Sequence, residues 1–93
     1  MVRQVLNYLR TVRFYFFTKI GRAGETDYEG KIWLNPNHDI LPTAIHEAIH
    51  CLRPDLTEEQ VLKKEAAVCN RMRNKDWREL LEIVTANLKG AKK

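Results

Sequence analysis

Thr43-Ala44-Ile45-His46-Glu47-Ala48-Ile49-His50-Cys51-Leu52 is the stretch on which the reading of the whole chain turns. Its apolar positions Ile45, Ile49 and Leu52 follow helical spacing and form one stripe. The same spacing sets His46 and His50 one turn apart, so both imidazoles can reach a single point. Two neutral imidazoles suit a tetrahedral zinc ion. Glu47 stands about 100° round the helix from His46. From there a carboxylate can take a proton from water that the metal has acidified, without being a ligand itself. The flanking residues carry no charge, which puts the imidazoles at the rim of an apolar core.

Turn signals on either side bound this helix at about Leu41 to Leu52. Asp39 or the Leu41-Pro42 step opens it, since Pro is tolerated in a first turn. Arg53-Pro54 ends it, because the residue before Pro is pushed out of the helical region. Upstream, Gly30-Lys31-Ile32-Trp33-Leu34 reads as a strand stopped by Asn35-Pro36-Asn37. Residues 12–20 alternate with period two, predicting a strand with Val12, Phe14, Phe16 and Ile20 on its better-buried face. These two strands are expected to pair antiparallel across a 21–29 loop. Residues 2–10 predict a short amphipathic helix carrying Val2, Val5, Leu6 and Leu9. Downstream, Thr57 and Gln60 form a capping-box pattern that opens a helix to about Asn74. A last helix is expected from Asp76, with Glu79 at the matching position, burying Trp77, Leu80, Leu81, Val84 and Leu88. Gly90 would end it, leaving Ala91-Lys92-Lys93 as a frayed tail.

A catalytic zinc ion needs a third protein ligand that leaves the fourth position open. No His follows His50, and His38 reads as a solvated loop residue. Carboxylates remain. Val61, Glu65, Val68 and Met72 share one face of the helix after Thr57, and an acid on such a stripe is costly unless paired or metal-bound. Glu65 is therefore the better candidate. Asp55 competes with it, although bracing the turn or accepting a hydrogen bond from an imidazole suits Asp55 better. Glu58 and Glu59 fall in a first turn, where the helix dipole alone favours acids.

Over Thr43 to Leu52 the chain resembles the extended zincin signature. Glu65 on a following helix is similar to the gluzincin arrangement, and Lys64-Glu65-Ala66-Ala67 resembles the glutamate-helix motif of ImmA-like proteins. The whole is similar to the minimal zincins, phage-borne, SprT-like or ImmA-like. The resemblance implies an α+β fold in which a small antiparallel sheet packs on the HExxH helix, a glutamate helix and flanking terminal helices. It implies Zn2+ on His46, His50 and Glu65, with Glu47 as general base. It also implies that Lys31, Ile32, Trp33 and Leu34 form the edge strand that holds an extended peptide substrate by main-chain hydrogen bonds. The larger gluzincins carry an acid four residues after the ligand Glu, where this chain has Cys69. For stabilising the developing oxyanion, Tyr28, Arg53 and Arg71 are the candidates.

Length and composition frame this reading. Ninety-three residues, 44% hydrophobic and 30% charged, suit one globular domain over 1–93. No segment has the ~20 apolar residues of a membrane span, and the N-terminus has no signal-like apolar core, so a cytoplasmic protein is expected. Cys51 and Cys69 form no CxxC pair and read as reduced thiols. The net charge of +4 permits contact with nucleic acid without naming it. Phe14 to Phe17 could stack bases, but a core role fits so short a chain better. The basic group Arg71, Arg73, Lys75 and Arg78 reads as a solvated face. The expected function is zinc-dependent peptide-bond hydrolysis. The alternative is a non-catalytic zincin-like module with a structural or vestigial metal and a protein or nucleic-acid partner.

Overall fold

Four helices and one mixed four-stranded sheet account for residues 1–91, the part of the chain that the computed structural model describes. Lys92 and Lys93 of the expected tail lie outside the described residues. In chain order the elements are α1 (Val2–Leu9), β1 (Arg13–Phe16), β2 (Gly24–Thr26), β3 (Lys31–Leu34), α2 (Ile40–Leu52), α3 (Glu58–Arg71), α4 (Asn74–Asn87) and β4 (Leu88–Ala91). The domain is α+β. No helix among the described residues is long and apolar enough to cross a membrane.

Helix α2 lies at the centre. Ala44, Ile45, Ala48 and Ile49 are fully buried, so its apolar stripe faces inward along its length. They meet Val5, Leu6 and Leu9 of α1, Phe14 of β1, Ile32 and Leu34 of β3, Val61 and Val68 of α3, and Leu80, Ile83 and Val84 of α4 in one cluster. Each large aliphatic side chain buried there contributes about 1.5–3 kcal/mol. α3 opens as its sequence pattern requires: the Thr57 amide donates to Gln60 Oε1 at 2.8 Å, and the Gln60 amide donates to Thr57 Oγ1 at 3.2 Å. Leu62 on this helix is exposed, not part of its core face.

The sheet differs from the expected antiparallel pair. Its order is β2-β3-β1-β4, with β1 parallel to both β3 and β4, and β2 antiparallel to β3. Residues 17–30 are long enough to cross over and return, so β3 starts at the same end of the sheet as β1. Part of the expected 21–29 loop is β2, too short to show a periodic pattern. β1 also stops at Phe16, leaving Ile20 fully exposed. Both faces of the sheet are used. Phe14, Ile32 and Leu34 enter the core, while Tyr15 stacks on Trp33 across the β1–β3 pair with centroids 5.8 Å apart. Phe14 and Tyr15 of β1 and Phe17 just after it are buried, so these aromatics pack inside the domain.

Helix α4 starts at Asn74 instead of Asp76, with Arg73 at the N-cap and Asp76 in the first turn, where its Oδ2 accepts from the Arg73 amide at 2.9 Å. Glu79 is thereby free to take Arg3 and Arg10 of α1, tying the two helices together. Ile83 is buried where Leu81 was expected, and Leu81 is exposed. The helix ends at Asn87, and Gly90 belongs to β4.

Candidate metal centre

A cleft of about 520 Å³ runs between the β2 side of the sheet and the outer faces of α2 and α3. Its α2 wall is the face one step round from the core stripe: Thr43, His46, Glu47 and His50. Its α3 wall is Glu58, Leu62 and Glu65, three residues at i, i+4 and i+7 on one side of the helix. Its sheet wall runs from Gly21 to Thr26 and ends at Tyr28. Gly24 lets that wall come close, since a Cβ there would stand 2.5 Å from Thr43 Cγ2 and 3.4 Å from Glu47 Cγ. Buried Asn35 holds the preceding loop in place through its side-chain amide, which donates to the Arg22 carbonyl at 2.9 Å and the Lys19 carbonyl at 3.3 Å.

The two histidines converge as their spacing requires, with ring centroids 4.9 Å apart. What they converge on is Glu58. His46 Nε2 lies 2.5 Å from Glu58 Oε1, and His50 Nε2 lies 3.2 Å from Glu58 Oε2. His46, His50 and Glu58 form a group that could hold a metal ion. Glu65, expected as the third ligand, also reaches the site but meets the other side of a ring: its Oε1 is 2.7 Å from His46 Nδ1. The two acids meet different ring nitrogens for a geometric reason. Glu65 sits two turns along α3 from Glu58, level with the back of His46, while Glu58 at the start of the helix faces both Nε2 atoms. The i, i+7 spacing of the two acids was a signal that the dipole explanation for Glu58 set aside.

The donor set fits a cation. His46 meets a carboxylate at each ring nitrogen. A neutral imidazole carries one N–H, so it satisfies one of these acceptors and turns a lone pair toward the other. A cation between Nε2 and Glu58 would remove that conflict, as a second ring proton also would, and would leave Nδ1–H donating to Glu65, the carboxylate–histidine pairing typical of metal sites. Both imidazoles are only 16% exposed, so water competes weakly there.

Glu47 is buried beside them, 8% exposed. Burial pushes its carboxyl above the ordinary glutamate value; the nearby imidazoles and Arg22 pull it back, and Glu58 adds to the rise. Other expected residues lie elsewhere. Asp55 is exposed and takes Arg53 in a two-bond pair at 3.1 and 3.2 Å, so neither lines the cleft. Arg71 and His38 lie outside the cleft as well. Of the three oxyanion candidates, Tyr28 alone lines it.

The strand expected to hold substrate does not lie at the sheet edge. Lys31, Ile32, Trp33 and Leu34 make up β3, an inner strand bonded to β1 on one side and β2 on the other. Its main-chain groups are spent within the sheet. The edge facing the cleft belongs to β2, which residues Gly24, Glu25 and Thr26 supply. Comparison of the chain with protein-family models, with curated proteins and with solved structures gave no match in any of the three.

Proposed function

We propose that this chain is a zinc-dependent peptide hydrolase of minimal zincin type. One observation carries the proposal: two imidazole Nε2 atoms and a carboxylate meet at one point on the wall of an open cleft, next to a buried glutamate. When bound, zinc would supply Lewis acidity toward a peptide carbonyl and lower the pKa of water. His46, His50 and Glu58 would hold it. Glu65 would fix the His46 ring through Nδ1. Glu47 would take a proton from the attacking water and pass it to the leaving amine. Its burial suits that work, because a carboxyl raised from its usual range holds a proton better and releases it nearer neutral pH. The open edge of β2 would bind an extended peptide by main-chain hydrogen bonds.

The test is Glu47→Gln in zinc-loaded protein, with metal content measured by elemental analysis and cleavage followed by mass spectrometry on a mixed peptide pool. The expected outcome is retained zinc and cleavage reduced by roughly 10²–10⁴-fold, the usual contribution of a general base. Cleavage at the wild-type rate in the variant would refute the assignment.

A further inference from the structure

Tyr28 is built into the cleft wall in a way its surroundings do not require. Its backbone has φ of +60°, the left-handed region that a bulky side chain rarely occupies. The ring gains little from packing, at 55% exposed. Among the described residues, the phenol hydroxyl has no protein partner. The two threonine hydroxyls of the lining are committed: Thr43 Oγ1 donates to the Asp39 carbonyl at 2.8 Å, and Thr26 Oγ1 donates to the Lys31 carbonyl at 2.9 Å. Arg22 lies 3.6 Å from Glu25.

The unusual backbone is held from several sides. The Tyr28 amide donates to Thr26 Oγ1 at 3.1 Å. Asp27 Oδ1 accepts from the amides of Glu29 at 2.8 Å and Lys31 at 3.0 Å. Because Thr26 Oγ1 spends its own proton on Lys31, its 3.3 Å contact with Cys51 Sγ is donated by the thiol. Cys51 follows His50 directly on α2, so the Tyr28 turn is tied to the helix that carries both imidazoles. A strained, anchored residue that presents a free donor to a cleft signals a functional constraint on the turn.

We propose that Tyr28 contacts bound peptide, its hydroxyl donating to a substrate carbonyl oxygen beside the metal point. The proposal rests on the peptidase reading above. Its test uses a peptidyl hydroxamate, a zinc-directed probe with peptide carbonyls, titrated calorimetrically into zinc-loaded wild type, Tyr28→Phe and His46→Ala, with thermal unfolding of Tyr28→Gly alongside. Wild type binds the probe and His46→Ala does not. Tyr28→Phe binds about tenfold more weakly, the loss expected for one hydrogen bond. Tyr28→Gly unfolds at the wild-type temperature or several degrees above it, since glycine takes the same backbone without strain. Equal probe affinity in wild type and Tyr28→Phe would overturn the Tyr28 role and leave the peptidase reading intact. Failure of zinc-loaded wild type to bind the probe would overturn both. A fall in the melting temperature of Tyr28→Gly would make Tyr28 a structural residue and overturn the proposal too.

Discussion

Replacing Glu58 and Glu65 by Gln, one at a time, separates a carboxylate that holds a metal from one that only orients a ring. A tetrahedral ion with bonds of about 2.0–2.1 Å keeps its donor atoms roughly 3.3 Å apart. Glu58 Oε2 already stands 3.2 Å from His50 Nε2, but Oε1 is only 2.5 Å from His46 Nε2. Admitting an ion therefore needs Glu58 to retreat from His46 by just under ~1 Å. A side chain 63% exposed makes that move at little cost. Glu65, 23% exposed, need not move, because Nδ1 points away from the metal point. Glu65→Gln should then weaken zinc binding by the roughly 10–100-fold typical of losing an outer partner. Glu58→Gln should weaken it more, since a charged ligand is lost outright. Competition titration against a fluorescent zinc chelator at fixed pH measures both, with circular dichroism as the check on folding. A larger loss in Glu65→Gln than in Glu58→Gln would make Glu65 the ligand and refute the geometric assignment. No loss in either would remove α3 from the site.

Gly24→Ala drives a methyl group to 2.5 Å from Thr43 Cγ2 and 3.2 Å from the Trp33 carbonyl oxygen, so the variant should lose about 1–3 kcal/mol to overpacking. A urea midpoint equal to wild type would show that β2 moves away freely. Glu79 is held down to about 2 from its ordinary 4.5 by its hydrogen bond to Arg3, then by Arg10. Its folded value is the lower one, so its contribution is full above about pH 4.5 and fades as the pH falls through 2. Glu79→Gln should flatten stability against pH in that window, by about 1 kcal/mol or less, because both arginines are more than half exposed; a change confined to neutral pH would contradict this. Chelation should leave the far-ultraviolet dichroism nearly unchanged, since the core cluster from Val5 to Val84 contains none of the metal-directed side chains. Unfolding on chelation would instead mark a structural metal.

The local rules were legible along the chain. Residue spacing alone set α2 with His46 and His50 on one face, because a helix repeats every 3.6 residues whatever it packs against. The Thr57–Gln60 cap was equally plain, since its two hydrogen bonds close within a single turn. The sequence also pointed to a carboxylate on the following helix. It did not resolve which ring nitrogen each acid would meet.

Tertiary structure decided that choice, because it depends on how far α3 slides along α2 and on which end of α3 faces the Nε2 atoms. It likewise decided the sheet. Gly24 to Thr26 is too short to display a period, and becomes a strand only because β3 offers it an unpaired edge. Taking that edge made β3 an inner strand and moved the open main chain to β2. Glu79 left the capping place expected for it for the same reason: Arg3 and Arg10 lie far away in sequence, and only the packing of α1 on α4 brings them to Glu79. Pairings within a turn or two follow from backbone geometry. Those between distant segments wait on the packed core that sets their separation.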